Sequence, residues 1–412
     1  MKKNIFLTIT ASAFMILGLT LVSCQEPIFE AIREDVAPEE ATVSGNIGFI
    51  TRYTVGGNEY LVLSADGGLR YKQKDKNSHG EWNSYGAPFT LHHYDFDTST
   101  HSGEQLIAVL ADSTTLYLIS ASYGHTSIEG TSYPDSIKLY AKNISLSANG
   151  TSWSSEGEWT SLSTSIDDFD IFPINYNSTT EIYSTAFRVF QTNAPQKEHR
   201  AAFIRSYDSA NSCYRYFKLN GTDSPAEITI AADSIIDPEP SSDSKYVPAA
   251  LSAVYFNGEI KFFTSPCATT NETYTDAATH YYYSDGDEDL YYGDGTTNTK
   301  AVETGDVISV LATCKDSILI GHGKSTSGAL GGISRVLLTE GVPADKKASF
   351  TTNAQFQITS AYQVLALVNA TPEKEELDSS LYASITFSGA SYNFDNVGLW
   401  SYYPGRGNWN RE

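Results

Sequence analysis

Apolar residues along this chain come in short runs separated by clusters of Gly, Asn, Asp and Ser. The runs are rich in Tyr, Phe, Val, Ile and Thr, the side chains that suit a pleated, half-buried surface. Such a pattern predicts an antiparallel β protein. Long stretches with helical period are missing after the first two dozen residues. A hairpin pattern recurs. Gly68-Leu69-Arg70-Tyr71 is followed by Gly80-Glu81-Trp82-Asn83, and Gly398-Leu399-Trp400-Ser401 by Gly407-Asn408-Trp409-Asn410. Ile137-Lys138-Leu139-Tyr140 followed by Gly150-Thr151-Ser152-Trp153 is a third copy. Each is an aromatic-rich strand, a polar turn and a second strand carrying Trp, a ring large enough to cover a neighbouring strand or the next sheet.

Two further strands precede each hairpin, which predicts six four-stranded units. They run through 46–53, 58–65, 69–75 and 81–85; 106–111, 115–120, 137–142 and 151–155; and 169–176, 181–190, 201–207 and 213–219. The other three run through 251–256, 260–265, 280–284 and 290–292; 307–313, 317–321, 333–339 and 348–352; and 362–368, 381–387, 399–403 and 408–410. Six units over residues 46–412 give a period of roughly 61, longer than compact propeller repeats and consistent with long loops. Four-stranded units repeated radially are the architecture of a β-propeller, so the expected fold is an all-β, six-bladed propeller of antiparallel blades over 45–412. Runs such as Leu106–Leu110, Val307–Leu311 and Val364–Val368 are apolar with small residues mixed in, as inner strands near a crowded axis should be. A row of β-sandwiches is the rival, but it does not easily give one period to the end of the chain.

The N-terminal segment changes the picture of where this domain sits. Met1-Lys2-Lys3-Asn4 is a basic head, Ile5 to Val22 is an apolar run, and Leu21-Val22-Ser23-Cys24 follows. This is an export signal, with a retained membrane helix as the competing reading for an apolar run of that length. Leu21-Val22-Ser23-Cys24 resembles the lipobox of bacterial lipoproteins. The resemblance implies a signal peptide over 1–23, cleavage before Cys24, and acylation of Cys24, so that the bilayer is a partner and the location is extracytoplasmic. Several acyl chains anchor stably where one does not. Residues 24–44, with Pro27, Pro38, Glu39 and Glu40, read as a tether. The overall pattern is also similar to that of spirochaetal surface lipoproteins.

The formal charge is −22, and loss of Lys2 and Lys3 with the signal takes it to −24. An acidic surface argues against nucleic acid as a partner. Cys213, Cys267 and Cys314 remain after the anchor; they are too few for a disulfide framework, fit no zinc spacing, and are expected as buried free thiols.

Several motifs carry possible chemistry. Gly321-His322-Gly323-Lys324-Ser325 looks like a phosphate loop, but the glycine that pattern needs is Ile318. Asp285, Asp287 and Asp289, with Asp294 close behind, offer oxygen ligands for calcium; the spacing is not the helix–loop–helix pattern, and a solvated hairpin turn is expected, with no metal. Asp167-Asp168-Phe169-Asp170 reads the same way. His92, His93 and His101 with Asp95 form the densest imidazole cluster, expected in a loop. There is no Gly-x-Ser-x-Gly and no His-Glu-x-x-His. Arg70, Arg205 and Arg335 fall on third strands, away from the axis. The Trp hairpins are similar to the Asp-box turns of sialidases but lack the Ser-x-Asp-x-Gly core.

The sequence therefore predicts a non-catalytic module, needing no cofactor, that binds a protein or glycan at the cell envelope. A glycan hydrolase of sialidase-like propeller type is the alternative. The expected contact regions are the loops around His92–His101, Pro225–Pro248 and Asp285–Gly295, with His92, His93, Asp95, His101, Asp285, Asp287, Asp289 and Asp294 as binding candidates.

Overall fold

The computed structural model describes residues 43, 47–65, 68–73, 82–91, 93–95, 100–122, 136–150, 152–162, 187–208, 211, 213–240, 248–314, 317–323, 332–349, 362–370, 381–387, 397–403 and 408–412. Strands β1 (Ile50–Val55), β2 (Asn58–Ala65), β3 (Gly68–Gln73) and β4 (Asn83–Tyr85) form the first sheet. A small hairpin of β5 (His93–Asp95) and β6 (Thr100–Ser102) leads to the second, built from β7 (Glu104–Ala111), β8 (Leu116–Ser122), β9 (Ser136–Lys142) and β10 (Thr160–Ser161). The third holds β11 (Arg188–Thr192), β12 (Ala201–Asp208), β13 (Cys213–Lys218) and β14 (Ala226–Ile228). The fourth has three strands, β15 (Ile235–Ile236), β16 (Ser252–Phe256) and β17 (Glu259–Phe263), with β17 in the middle.

The fifth sheet is β18 (Ala268–Thr270), β19 (Tyr281–Ser284), β20 (Asp289–Gly293) and β21 (Asn298–Glu303). The sixth is β22 (Ile308–Cys314), β23 (Ser317–His322), β24 (Ile333–Thr339) and β25 (Val342–Ser349). The seventh is β26 (Tyr362–Asn369), β27 (Leu381–Phe387), β28 (Gly398–Tyr403) and β29 (Asn408–Arg411).

The inner strands form a ring. β1 lies beside β7, β7 beside β11, β11 beside β16, β16 beside β18, β18 beside β22, β22 beside β26, and β26 beside β1 again. Sheets standing radially about one axis are a β-propeller. The all-β propeller expected from the sequence is thus present, and the alternative of successive sandwiches is not. Among the described residues seven sheets stand in this ring, six of four strands and one of three, with the two-stranded β5–β6 hairpin beside them.

The difference from six arises at 251–292, read from sequence as one unit. β16 and β17 turn back on each other through Asn257-Gly258, both with positive φ, as a tight hairpin of right-handed twist requires. Ala268–Thr270 then opens a new sheet by pairing with β19. That strand is short and nearly polar, so no apolar run betrays it. The fourth sheet completes itself with β15, which pairs parallel to β17. Pro225–Pro248, expected to be an irregular surface loop, therefore supplies β14 and β15 before its residues 241–247 pass outside the described set.

Other outer strands also shift. The second sheet takes Thr160–Ser161 and not 151–155, because Trp153 turns inward. The third begins at Arg188 and ends at Ile228, which moves Arg205 from a third strand to a second; 169–176 lies outside the described residues. The sixth ends on Val342–Ser349, earlier than the expected 348–352.

Packing between sheets explains the ring. Tyr53, Tyr60, Tyr71 and Trp153 fill the wedge between the first two sheets, with Tyr71 and Trp153 stacked at 4.0 Å. Between the last and first sheets, Val43, Ile47 and Trp82 pack with Val368, Tyr382 and Leu399. Glu412 adds an ion pair to Lys72 at 2.7 Å and accepts from the Trp82 indole at 2.8 Å. Each terminal strand stays in its own sheet, so this seam closes through side chains. Val43 touches the last sheet by one backbone bond, to the Glu412 carbonyl at 3.2 Å.

Candidate functional site

Inner strands of a propeller diverge too much for continuous backbone ladders between sheets, and here polar side chains take that place. Thr51 donates to the Val109 carbonyl at 2.6 Å, Thr313 to Thr270 at 2.7 Å, Asn369 to Thr313 at 2.8 Å, and Ser309 to Val364 at 2.7 Å. Gln191 accepts from the Ala111 N–H and donates to Thr51. Asn193 reaches farther, donating to the Ile50 carbonyl and accepting from the Arg52 N–H.

Of these, Gln191, Asn193, Thr270, Thr313 and Asn369 lie at or just past the C-terminal ends of inner strands and line a solvent-open recess of about 110 Å³. Its wall takes residues from sheets one, three, four, five, six and seven, including Arg52, Asn193, Tyr255, Thr269, Glu272, Thr313 and Asn369. Buried charges support that wall in pairs. Arg52, 5 % exposed, donates to Glu59 at 2.9 Å, to the Tyr274 hydroxyl at 2.6 Å and to the Asn369 carbonyl. Arg200 reaches the same Glu59 at 3.2 Å and also donates to the Ala194 and Pro195 carbonyls. The two guanidinium groups share one carboxylate, and carbonyls and hydroxyls take most of their other donors, with Arg52 Nε left without a partner.

A second pair stands beside it. His199 Nδ1 lies 2.6 Å from Glu272 Oε1, and the imidazole stacks on Tyr255 at 3.7 Å. The Glu272 side chain is 1 % exposed, and its Oε2 has no hydrogen-bond partner. Burial pushes the Glu272 pKa up, and the bond to His199 offsets only part of that.

The residues singled out from sequence are distributed differently. The register pairs His93 with Ser102 and Tyr94 with His101, so His93 and His101 sit at neighbouring rungs and not opposite each other; Asp95 pairs with Thr100. His92 lies outside the described residues, as do Cys24 and Asp167–Asp170. Asp285 Oδ1 accepts the N–H of Asp287 at 2.8 Å and of Asp289 at 3.2 Å, forming the turn between β19 and β20. Asp294 caps the next turn through Thr296 and Thr297, whose N–H groups hold its carboxyl below the usual range.

Gly321 lies in β23, where a Cβ would meet Val310 at 2.6 Å and Val364 at 2.8 Å; close packing, not phosphate, explains it. Cys267 is buried, which pushes its thiol up to about 11, whereas Cys213 is exposed, contrary to expectation, because it pairs with Asp208 at the turn end of the β12–β13 hairpin.

Sequence reading missed Arg52, Glu59, His199, Arg200 and Glu272. One signal was present: Arg52 is the single charged residue in a run of strand-forming side chains from Phe49 to Val55. The others stand in polar stretches that any surface would show.

A second groove, larger in volume, lies between the first two sheets, with Tyr85, Trp159 and Lys142 in its wall. Among the described residues no helix is long and apolar enough to cross a membrane. No family model matches the chain, and no curated protein matches it. Among solved structures, it is similar to an arginine-to-alanine mutant of AofleA from Arthrobotrys oligospora, at 11 % identity over 91 % of this chain and 87 % of that one, TM-score 0.39. It is similar to the GH74 xyloglucanase from Xanthomonas campestris at 13 % identity, over 90 % of this chain and 46 % of that one, TM-score 0.36. It is also similar to BBS1N, solved in complex with ARL6DN, at 10 % identity over 90 % and 92 %, TM-score 0.34.

Proposed function

We propose that this protein is a non-catalytic binding propeller, held outside the cytoplasm by lipid on Cys24, that receives a polyhydroxylated glycan end in the axial recess. The observation that carries the reading is the recess wall. It offers hydroxyls, amides and one aromatic ring around a cavity, while Arg52 and Glu272 in the wall each hold a partner in Glu59 and His199. A pre-formed wall with a few fixed polar groups is what a small-ligand site needs. Paired charges give orientation to that wall without serving as a nucleophile and its base.

Filling the cavity tests this. Thr269→Trp, on the half-buried wall of β18, should lower capture on a glycan array by at least about tenfold with the melting temperature nearly unchanged. Unchanged capture would place the ligand elsewhere. A hydrolase remains as the second reading because Glu272, a buried carboxyl with a raised pKa, is the kind of group that serves as a general acid. Turnover of a bound glycan, lost in Glu272→Gln, would replace binding with hydrolysis. The anchor is tested separately: Cys24→Ala should abolish metabolic fatty-acid labelling, and undiminished labelling would reject it.

A further inference from the structure

The structure joins two segments that the sequence shows fifty residues apart. Glu239 follows β15, at the open side of the three-stranded sheet, while Asp285 and Asp289 belong to the turn between β19 and β20. One carboxylate oxygen from each lies within 4.8 Å of the others. Three negative groups this close repel strongly, and Lys300, bound to Asp289 Oδ2, offsets only one of them. Asp289 is 8 % exposed, and its Oδ1 is buried with no hydrogen-bond partner. An ionised oxygen removed from water without a partner is costly. Asp285 spends Oδ1 on the turn N–H groups, which fixes its orientation and leaves its second oxygen for a ligand. Asp237 fixes the other segment by accepting from the Glu239 N–H at 3.1 Å and from Thr264 at 3.2 Å.

We propose that Glu239, Asp285 and Asp289 bind one calcium ion that clasps the segment after β15 to the fifth sheet. The donors are all hard oxygens, with no His or Cys among them, which selects calcium or magnesium over zinc. Calcium gathers several carboxylates in a flexible shell, whereas magnesium demands a strict octahedron and is usually held by one or two. Glu239 is exposed, so water completes the shell. The clasp has a mechanical reason. β15 is held to β17 by a parallel ladder of only two residues. A cation bound to the folded form alone stabilises that edge by mass action.

The test uses the full chain in detergent, stripped with a chelator and titrated with calcium chloride. One equivalent should bind with a dissociation constant of about 1 mM or tighter, and the melting temperature should rise with calcium. Glu239→Gln, on an exposed side chain that does not threaten folding, should weaken binding at least about tenfold. Asp285→Asn keeps the turn acceptor and should weaken it similarly. No binding heat and no thermal shift up to about 10 mM calcium would overturn the proposal. Binding that survives both substitutions would overturn it equally, as would a preference for magnesium.

Discussion

The wedge between the first two sheets and the recess at the axis are both closely packed, yet they are built by opposite rules. In the wedge, Tyr53, Tyr60, Tyr71 and Trp153 meet edge to face or stacked, at 4.0 to 6.0 Å, and apolar area does the holding. At the recess, buried Arg52, Arg200 and Glu272 pair with the half-buried Glu59 and His199. An apolar wedge is insensitive to pH and has no preferred ligand. A polar network costs desolvation and becomes worthwhile when it fixes groups for recognition. The contrast separates the part of the molecule that secures the fold from the part that presents chemistry.

Breaking the wedge should produce the larger effect. Trp153→Ala removes the ring that Tyr53, Tyr60, Tyr71 and Tyr85 all contact. The neighbours belong to rigid strands and cannot collapse into the space, so a loss of about 3–5 kcal/mol is expected in denaturant unfolding. A change below about 1 kcal/mol would mean that the wedge adapts and that the aromatic seam is not what holds the first two sheets. Glycan capture per folded molecule should be unaltered, because none of these rings lines the recess.

The two regions also differ in how far the sequence disclosed them. The wedge was legible, since tryptophan recurring after an aromatic strand has few explanations besides covering a neighbour. Yet Trp153 was assigned to an outer strand, whereas it makes only an isolated bridge to Leu146 and turns its ring inward. Strand pairs with long apolar runs, such as β2 and β8, were found nearly to their ends. Ala268–Thr270 was not, because three small residues carry no period, and that one omission merged two sheets.

The recess was illegible for a different reason. Its residues come from six sheets, and Asn193 meets Ile50 across 143 positions. No local spacing encodes such a meeting. The acidic turn was noticed as Asp285, Asp287 and Asp289, but its third partner is Glu239 and not Asp287, a substitution that only the parallel crossover of β15 explains.

A smaller effect sharpens the recess side of the comparison. Burial raises the Glu272 pKa in the folded protein, with His199 offsetting only part of the rise. The folded state therefore holds this proton more tightly than the unfolded chain does. Its stabilising contribution is complete below the unfolded carboxyl pKa and is lost as pH rises through the folded value. Glu272→Gln imitates the protonated carboxyl, keeps an acceptor for His199 and removes the titration. The variant should lose less stability than the native protein as pH rises above the ordinary glutamate range, where the native carboxyl gives up its proton. Urea unfolding across that range measures the difference between the two curves. Parallel curves would show that Glu272 titrates alike in both states, and the recess would then be as indifferent to pH as the wedge.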